Sequence, residues 1–201
     1  MNRGRLFIVS GPSGSGKDTV LCEVFKSNPK IEFSISSITR DMRPGETEGG
    51  KYHFISREEF EQLIKDDMLL EHNIFVGNYY GTPKMPVLEC LKNGNDMIVE
   101  VDVNGAAQIR EKMPDAVSIF IMPPSLEVLK HRLSRRGTDS AEVIEKRLNE
   151  ALGEIKRAVE YDYIVVNDDL MPAVEQVLTI INADLCSTDR NQDIIKQIIN
   201  E

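Results

Sequence analysis

Short apolar runs alternate along this chain with longer segments whose apolar residues recur every three or four positions. In 17–27, for example, Val20, Leu21 and Val24 lie at helical spacing. The predicted strands are 5–10, 97–101, 117–122 and 163–166, and the predicted helices are 17–27, 83–91, 106–112, 125–136, 139–160 and 171–185. Such alternation favours an α/β fold whose mainly parallel sheet is covered by helices on both faces.

Residues from about 34 to 84 interrupt this alternation. Glycines punctuate short runs there, which predicts a strand-rich insertion, and Ser56 and Glu59 have the spacing of a capping box that opens one helix. We expect one domain at 4–185, followed by a tail at 186–201 that is polar and then weakly amphipathic. Its parts would be a core (4–33, 85–133 and 148–185), the insertion (34–84) and a lid (134–147).

Composition narrows the classes of partner. The 201 residues include 24 Lys and Arg against 33 Asp and Glu, a formal net charge of −9, which argues against nucleic-acid binding because a phosphate backbone would repel the chain. The apolar runs fall short of the roughly 20 residues of a membrane span, and the start has no signal-peptide pattern. Cys22, Cys90 and Cys186 are far apart and lack CxxC spacing, so we expect reduced thiols in a cytoplasmic protein.

A glycine-rich stretch, GPSGSGK at 11–17, fits the pattern G-x-x-x-x-G-K between a predicted strand and a predicted helix. Glycines let successive backbone N–H groups converge on phosphate oxygens, and the helix N-terminus adds partial positive charge. Lys17 would neutralise the β- and γ-phosphates of a nucleoside triphosphate. The predicted phosphate loop comprises Gly11, Pro12, Ser13, Gly14, Ser15, Gly16, Lys17, Asp18 and Thr19.

The residue after the lysine departs from the pattern, which has serine or threonine there as a ligand of Mg²⁺. This chain has Asp18, followed by Thr19. A carboxylate could reach the metal directly or through water, because Mg²⁺ takes oxygen ligands and keeps several waters. Two interpretations stay open: a carboxylate linked to the metal, or a solvated one.

Two arginines in the insertion, Arg40 and Arg43, lie three positions apart beside hydroxyl residues. Two guanidinium groups can hold a phosphate monoester by paired hydrogen bonds, and Tyr52 and Tyr80 can add phenolic donors. The alternative is a solvated basic loop, although a local basic cluster in so acidic a chain needs a reason.

Glu71 follows the apolar run 68–70. A carboxylate there can accept the N1–H and N2–H of guanine, whereas adenine offers a lone pair at N1, and Ser36 and Thr82 can donate to guanine O6. Such a site can reject a wrong base by roughly 10⁴-fold, because its buried polar groups would be left unpaired. Glu71 alone would be read as a surface residue; the combination indicates a guanine site.

The chain resembles guanylate kinase, a P-loop nucleoside monophosphate kinase, over roughly residues 4–185. The matching stretches are GPSGSGKDT, SSITRDMRPGE, KYHF, LLEH, GNYYGT, VEVDVNGAAQIR, IFIMPPS, LSRRGTDS and VVNDD. The arginine pair with GNYYGT is specific to that family, and the phosphate loop is not. The resemblance implies transfer of the γ-phosphoryl group of ATP to GMP, and to dGMP, with Mg²⁺ in purine nucleotide metabolism.

The resemblance also implies roles for individual residues. The GMP phosphate would be held by Arg40, Arg43, Tyr52 and Tyr80, and the guanine by Ser36, Glu71 and Thr82. The acidic strand end beside the acceptor and metal matches Glu100, which is aspartate in some members, and Asp102. The lid and its flanking helices, which close on the ATP phosphates, would supply Arg132, Arg136 and Arg147. The position near the adenine matches Asn167.

Catalysis by such a site consists mostly of positioning and charge stabilisation, and no general base is required because the attacking GMP oxygen is already an anion. Two other functions stay open. One is a non-catalytic guanylate-kinase-like module that binds protein partners, although this chain keeps Lys17. The other is a ribose 1,5-bisphosphate phosphokinase, whose phosphate loop the Gly-Lys-Asp sequence resembles. A homo-oligomer, with the tail docked on a neighbouring subunit, is also open.

Overall fold

The computed structural model describes residues 3–134 and 141–200. The strands are β1 (Leu6–Ser10), β2 (Glu32–Phe33), β3 (Ser36–Ile38), β4 (Tyr52–Phe54), β5 (Leu69–Phe75), β6 (Asn78–Pro83), β7 (Met97–Glu100), β8 (Val117–Met122) and β9 (Tyr163–Val166). The α-helices are α1 (Lys17–Ser27), α2 (Arg57–Lys65), α3 (Lys84–Lys92), α4 (Val103–Lys112), α5 (Leu126–Ser134), α6 (Ala141–Lys156), α7 (Leu170–Asp184) and α8 (Gln192–Asn200), and a 3₁₀ turn spans Arg157–Glu160.

Two sheets are present in the described chain. Five strands are hydrogen-bonded in the order β2-β7-β1-β8-β9, with parallel pairing of β2 to β7 and of β8 to β9. Every residue of β1 is buried, as expected for a strand that is covered on both faces. The other sheet has the order β4-β3-β6-β5, in which β6 runs antiparallel to both β3 and β5. The α/β class and the strand-rich insertion are therefore confirmed.

The chain divides into two compact units. The first unit contains residues 9–29 and 118–200, apart from 135–140, which lie outside the described residues. Helix α1 packs there against α7, and their buried apolar faces include Val20, Val24, Val174 and Val177. The second unit contains residues 4–8 and 30–117, where α4 packs against β5. The predicted division into core, insertion and lid stays a prediction.

Local signals fix several helix starts. The capping box that opens α2 is confirmed, because the Ser56 side chain accepts from Glu59 N–H and the Glu59 side chain accepts from Ser56 N–H. The predicted helix start at 106 was wrong. The helix begins at Val103, since the Asp102 carboxylate accepts from the backbone N–H groups of Asn104 and Gly105 and caps it three residues earlier.

The later helices also differ from the prediction. The helix expected to reach 160 ends at Lys156 and continues as a 3₁₀ turn, and the tail contains α8. The predicted helix start at 139 and the predicted helix end at 136 lie outside the described residues. The three cysteines are free, and of these Cys90 is buried. Among the described residues, no helix combines the length and apolar character that a membrane crossing needs.

Candidate active site

The phosphate loop of the first unit joins the end of β1 to the start of α1, the arrangement that the motif requires. Gly16 has φ 85°, and a Cβ atom there would lie 2.4 Å from the Asn167 side-chain nitrogen, so glycine is required on two grounds. The Ser15 hydroxyl is buried and has no hydrogen-bond partner among the described residues. A phosphate in this loop would give that donor a partner.

Three residues that sequence analysis selected contact the loop from elsewhere in the first unit. The buried Asn167 amide donates to the Ser15 carbonyl at 2.8 Å. Arg132 on α5 donates to the carbonyls of Ser15, at 3.3 Å, and Asn167, at 2.9 Å. Arg147 on α6 donates to the Ser13 hydroxyl at 2.6 Å. The same contacts place the Asn167 amide against the backbone of the phosphate loop.

The first turn of α1 carries the remaining residues of the loop. Lys17 is half-buried, and Asp18 and Thr19 are exposed. The turn is closed by the Gly16 carbonyl, which accepts from Thr19 N–H at 3.1 Å. Asp18 is the acidic residue of this turn, where a carboxylate interacts favourably with the helix dipole even without a metal. Arg136 lies outside the described residues.

The second unit brings the guanidinium and phenol groups together through strand register. Strand β3 lies between β4 and β6, with Ser36 paired to Tyr52 and Ile38 paired to Tyr80. The rings of the two tyrosines meet edge to face with centroids 6.5 Å apart. Arg40, just beyond β3, has its guanidinium carbon 5.4 Å from the centroid of the Tyr52 ring, and the nearby Tyr80 hydroxyl contributes to raising the pKa of Arg40. Three of the four residues predicted to hold the GMP phosphate are thus adjacent.

Glu46 is a partner that sequence analysis missed. Its two carboxylate oxygens accept from the two terminal nitrogens of Arg40 at 2.6 and 2.7 Å. Arg43 is exposed, and its backbone N–H donates to the same carboxylate at 2.8 Å. The Arg40 guanidinium and the Arg43 N–H lower the pKa of Glu46 to about 2, and Glu46 in turn raises the pKa of Arg40. The sequence signal was an acidic residue directly after the Arg-Pro-Gly turn.

Glu71 lies on β5 and is only 5% exposed, so the surface interpretation is wrong for this residue. Register pairs it with Thr82 on β6, whose hydroxyl donates to the carboxylate at 2.7 Å. Burial is the main cause that raises the pKa of Glu71 to about 7, and the charge of Asp102 acts in the same direction. A buried carboxylate with spare acceptor capacity is suited to two N–H donors from one ligand.

Gly105 on α4 is a second residue that sequence analysis missed. A Cβ atom there would lie 2.9 Å from a carboxylate oxygen of Glu71. Glycine therefore allows the carboxylate to lie against the first turn of the helix. The sequence offered no signal for this contact, because the predicted helix began at 106, after Gly105.

The acidic end of β7 is engaged by side chains of its own unit. The Glu100 carboxylate pairs with Lys51 at 2.7 Å and is largely buried. One oxygen of Asp102 caps α4, and the other accepts from the Asn73 amide at 2.7 Å. No group of three or more His, Cys, Asp or Glu side chains suited to holding a metal occurs within residues 3–134 and 141–200.

The comparison with known families decides the identity of this arrangement. The sequence profile described as guanylate kinase matches residues 3–184. The chain belongs to the guanylate kinase family. The guanylate kinase of Oceanobacillus iheyensis is 48% identical over 199 residues, which cover 99% of this chain and 97% of that protein. The guanylate kinase of Lactococcus lactis is 50% identical over 188 residues, which cover 94% and 92%.

A solved guanylate kinase has the same fold. The crystal structure of guanylate kinase from Anaplasma phagocytophilum matches with a TM-score of 0.77 and 33% identity, over 94% of this chain and 90% of that one. The resemblance predicted from the sequence stretches, the P-loop NTPase fold class and the assignment as a nucleoside monophosphate kinase are therefore confirmed.

Proposed function

We propose that this guanylate kinase homologue transfers the γ-phosphoryl group of ATP to GMP, giving ADP and GDP, through the residues described above. ATP binds to the first unit and GMP to the second. The observation that carries the assignment of the acceptor is the buried Glu71 carboxylate, because it distinguishes guanine from adenine. Thr82 donates to this carboxylate and so orients it.

The GMP phosphate is the natural ligand for the donors around Arg40. Arg40 and Arg43 provide guanidinium groups, and Tyr52 and Tyr80 provide phenols. The adjacency of Arg40 to both tyrosines supports this role. Ser36, paired with Tyr52 on the neighbouring strand, is proposed to donate to guanine O6.

The ATP phosphates are proposed to lie on the loop of Gly11 to Thr19. Lys17 supplies positive charge at the helix N-terminus, and Arg132 and Arg147 already contact the loop. Arg136 is proposed to complete this set on the basis of the family alone. No residue has to remove a proton, since the GMP phosphate is an anion at neutral pH.

Asp18 fits a role beside magnesium better than Asp102 does. Mg²⁺ usually keeps several waters and is held by substrate phosphates together with one or two carboxylates, and it neutralises phosphate charge when bound. Asp18 is exposed in the first turn of α1, next to Lys17. Asp102 already accepts three hydrogen bonds, so its role as a ligand stays a prediction.

Replacing Asp18 by serine is expected to change how binding and activity depend on the metal. Removing the carboxylate should tighten binding of metal-free ATP by about two- to fivefold, since one like charge at an exposed position is lost. The Mg²⁺ concentration that gives half-maximal turnover should rise. Calorimetry without metal and a magnesium titration of activity measure the two effects, with Asp18→Asn as the isosteric control. Unchanged values in both would leave Asp18 as a solvated carboxylate.

Guanine binding is expected to weaken as the pH falls through 7. The ionised Glu71 carboxylate accepts both guanine N–H groups, whereas its protonated form offers an O–H that opposes them. With a pKa of about 7 for Glu71, binding restricted to the ionised form falls roughly tenfold between pH 8 and pH 6.

Guanosine is the ligand for this measurement, because it lacks the phosphate, which titrates in the same range. Calorimetry at pH 6, 7 and 8 gives the dissociation constants. The matched variant Glu71→Gln should bind guanosine weakly and with no such pH dependence. Equal guanosine affinity at pH 6 and pH 8 in the unmodified protein would contradict the proposed role of the carboxylate.

A coupled ATP assay with three acceptors tests the function as a whole. GMP should be phosphorylated in the presence of Mg²⁺, whereas AMP and ribose 1,5-bisphosphate should react poorly. Folded protein that leaves GMP unchanged would favour a module that binds protein partners. Preference for the ribose bisphosphate would indicate the other kinase class. The same assay decides whether dGMP is accepted.

Compartment, partners and oligomeric state are further properties of the protein that we propose. We propose a cytoplasmic protein without nucleic-acid or membrane partners, consistent with the net charge of −9. We also propose that the protein can form a homo-oligomer. Exposed isoleucines on α8, among them Ile198 and Ile199, support a contact through the tail.

A further inference from the structure

We propose that Glu46 is a positioning residue for the phosphate of GMP. Its carboxylate holds the Arg40 guanidinium and the Arg43 backbone in one arrangement, so that their remaining donors meet the phosphate already aligned. This inference rests on the proposed function and adds to it a residue that does not itself touch the substrate.

The hydrogen bonds of Glu46 link Arg40 and Arg43 through one carboxylate. Both carboxylate oxygens bind the terminal nitrogens of Arg40, at 2.6 and 2.7 Å. One of them also accepts from Arg43 N–H at 2.8 Å, while Glu46 N–H donates to the Arg43 carbonyl at 3.0 Å. The turn that carries Arg43 is thereby fastened to the guanidinium of Arg40 through a single side chain.

Packing holds the Arg40 guanidinium from other directions. Its central carbon lies 5.4 Å from the ring centroid of Tyr52 and 5.7 Å from that of Phe54, and one terminal nitrogen also donates to the Asp41 carbonyl at 2.9 Å. The Arg40 side chain is only 11% exposed. Such a guanidinium has few alternative orientations, and pre-organisation of this kind lowers the cost of ordering a group when the ligand binds.

The Arg40 guanidinium keeps a donor for the ligand on the edge that Glu46 does not bind. Glu46 occupies the edge formed by the two terminal nitrogens. The Nε atom of Arg40, on the adjacent edge, is buried and has no hydrogen-bond partner within the described part of the chain. An oxygen of the GMP phosphate that accepts from Nε would satisfy it.

An opposite role for Glu46 would be competition, in which the carboxylate imitates a phosphate and must leave before GMP binds. The bonds to Arg43 argue against this role, because departure of the carboxylate would also break its hydrogen bond from the Arg43 N–H. The pKa of about 2 keeps Glu46 ionised at any working pH, so its hydrogen bonds to Arg40 and Arg43 persist without ligand. Competition predicts tighter GMP binding once the carboxylate is lost, and positioning predicts weaker binding.

The test is Glu46→Gln, with GMP and guanosine binding measured by calorimetry. Glutamine keeps the size of the side chain but loses the charge and one acceptor. The dissociation constant for GMP should rise about tenfold, the size expected when charged hydrogen bonds that align a ligand are weakened. Guanosine, which lacks the phosphate, should bind within about twofold of the unmodified protein, and this also verifies that the variant is folded.

Two further variants separate positioning from a general effect on the loop. Glu48→Gln removes a comparable exposed carboxylate that pairs with His53 at 2.7 Å, and it should leave GMP affinity unchanged. Arg40→Ala should weaken GMP binding by about 10- to 100-fold. Adding Glu46→Gln to Arg40→Ala should then have little further effect, because Glu46 acts mainly through that guanidinium.

Unchanged or tighter GMP binding in Glu46→Gln would overturn the inference, and so would an equal loss of guanosine and GMP binding. It would also be overturned if Glu46→Gln weakened GMP binding in the Arg40→Ala background as much as it does in the unmodified protein. A failure of the proposed function would look different. In that case the unmodified protein would not bind GMP, so no effect of the Glu46 or Arg40 variants on GMP affinity could be measured.

Discussion

Replacing Lys17 by alanine is expected to lower turnover by a hundredfold or more while GMP affinity changes by less than about twofold. A pre-organised donor aimed at charge that develops in the transition state is worth about 10²–10³ in turnover. Lys17 is the first residue of α1, at the positive end of the helix dipole. The residues proposed to bind GMP all belong to the second unit, so their arrangement should not depend on this lysine.

The measurement pairs steady-state turnover at saturating ATP with calorimetry of GMP binding. Lys26→Ala is the matched control, since Lys26 lies in the last turn of the same helix, where its amine pairs with Glu23 at 2.7 Å. That variant should retain full activity. Near-normal turnover in Lys17→Ala would remove the lysine from the catalytic set, and a parallel loss of GMP affinity would show that the substitution disturbs more than the phosphate loop.

Glu71→Gln is expected to have the largest effect on the choice of acceptor. The amide that replaces the carboxylate presents one acceptor and one donor, and the donor opposes a guanine N–H. Hydrogen bonds to a charged group contribute about 1.5–3 kcal/mol each, so loss of one and reversal of the other should lower kcat/KM for GMP by a hundredfold or more. The preference for GMP over AMP should fall by a similar factor, because adenine N1 can accept from the new amide.

Assays with both nucleotides at saturating MgATP give this ratio directly. Glu58→Gln, an exposed position in the first turn of α2 in the same unit, is the control for loss of one negative charge. An unchanged GMP-to-AMP ratio in Glu71→Gln would transfer base recognition to other residues. Loss of ATP turnover with every acceptor, together with loss of the folded state, would show that Glu71 is required for the stability of the protein.

Elements with strong local signals were predictable from the sequence. The bounds of α1, β8 and β9 agree with the apolar periodicity, and the capping box of α2 needs only residues that are three apart. The phosphate loop is equally local, because the strand, the glycines and the helix follow one another in the chain. The start of α4 was misplaced by three residues, since the capping side chain of Asp102 sets it rather than the apolar periodicity.

The surroundings of the proposed site residues were harder to predict from the sequence. Burial of Glu71 depends on β6 and α4, which supply Thr82 and the bare backbone of Gly105. The Asn167 amide reaches the Ser15 carbonyl across 152 positions of sequence. Sequence spacing carries no information about such contacts when no local motif links the residues.

The order of apolar runs and the spacing of glycines, arginines and caps determined the fold class, the phosphate loop and the resemblance to guanylate kinase, because these features depend on neighbours within a few residues. Only the tertiary structure decided that Glu71 is a buried carboxylate with a pKa of about 7, that Lys51 pairs with Glu100, and that the Asn167 amide contacts the phosphate loop. Burial and charge pairing arise when distant segments exclude water from the same space, and a linear pattern does not specify which segments those are.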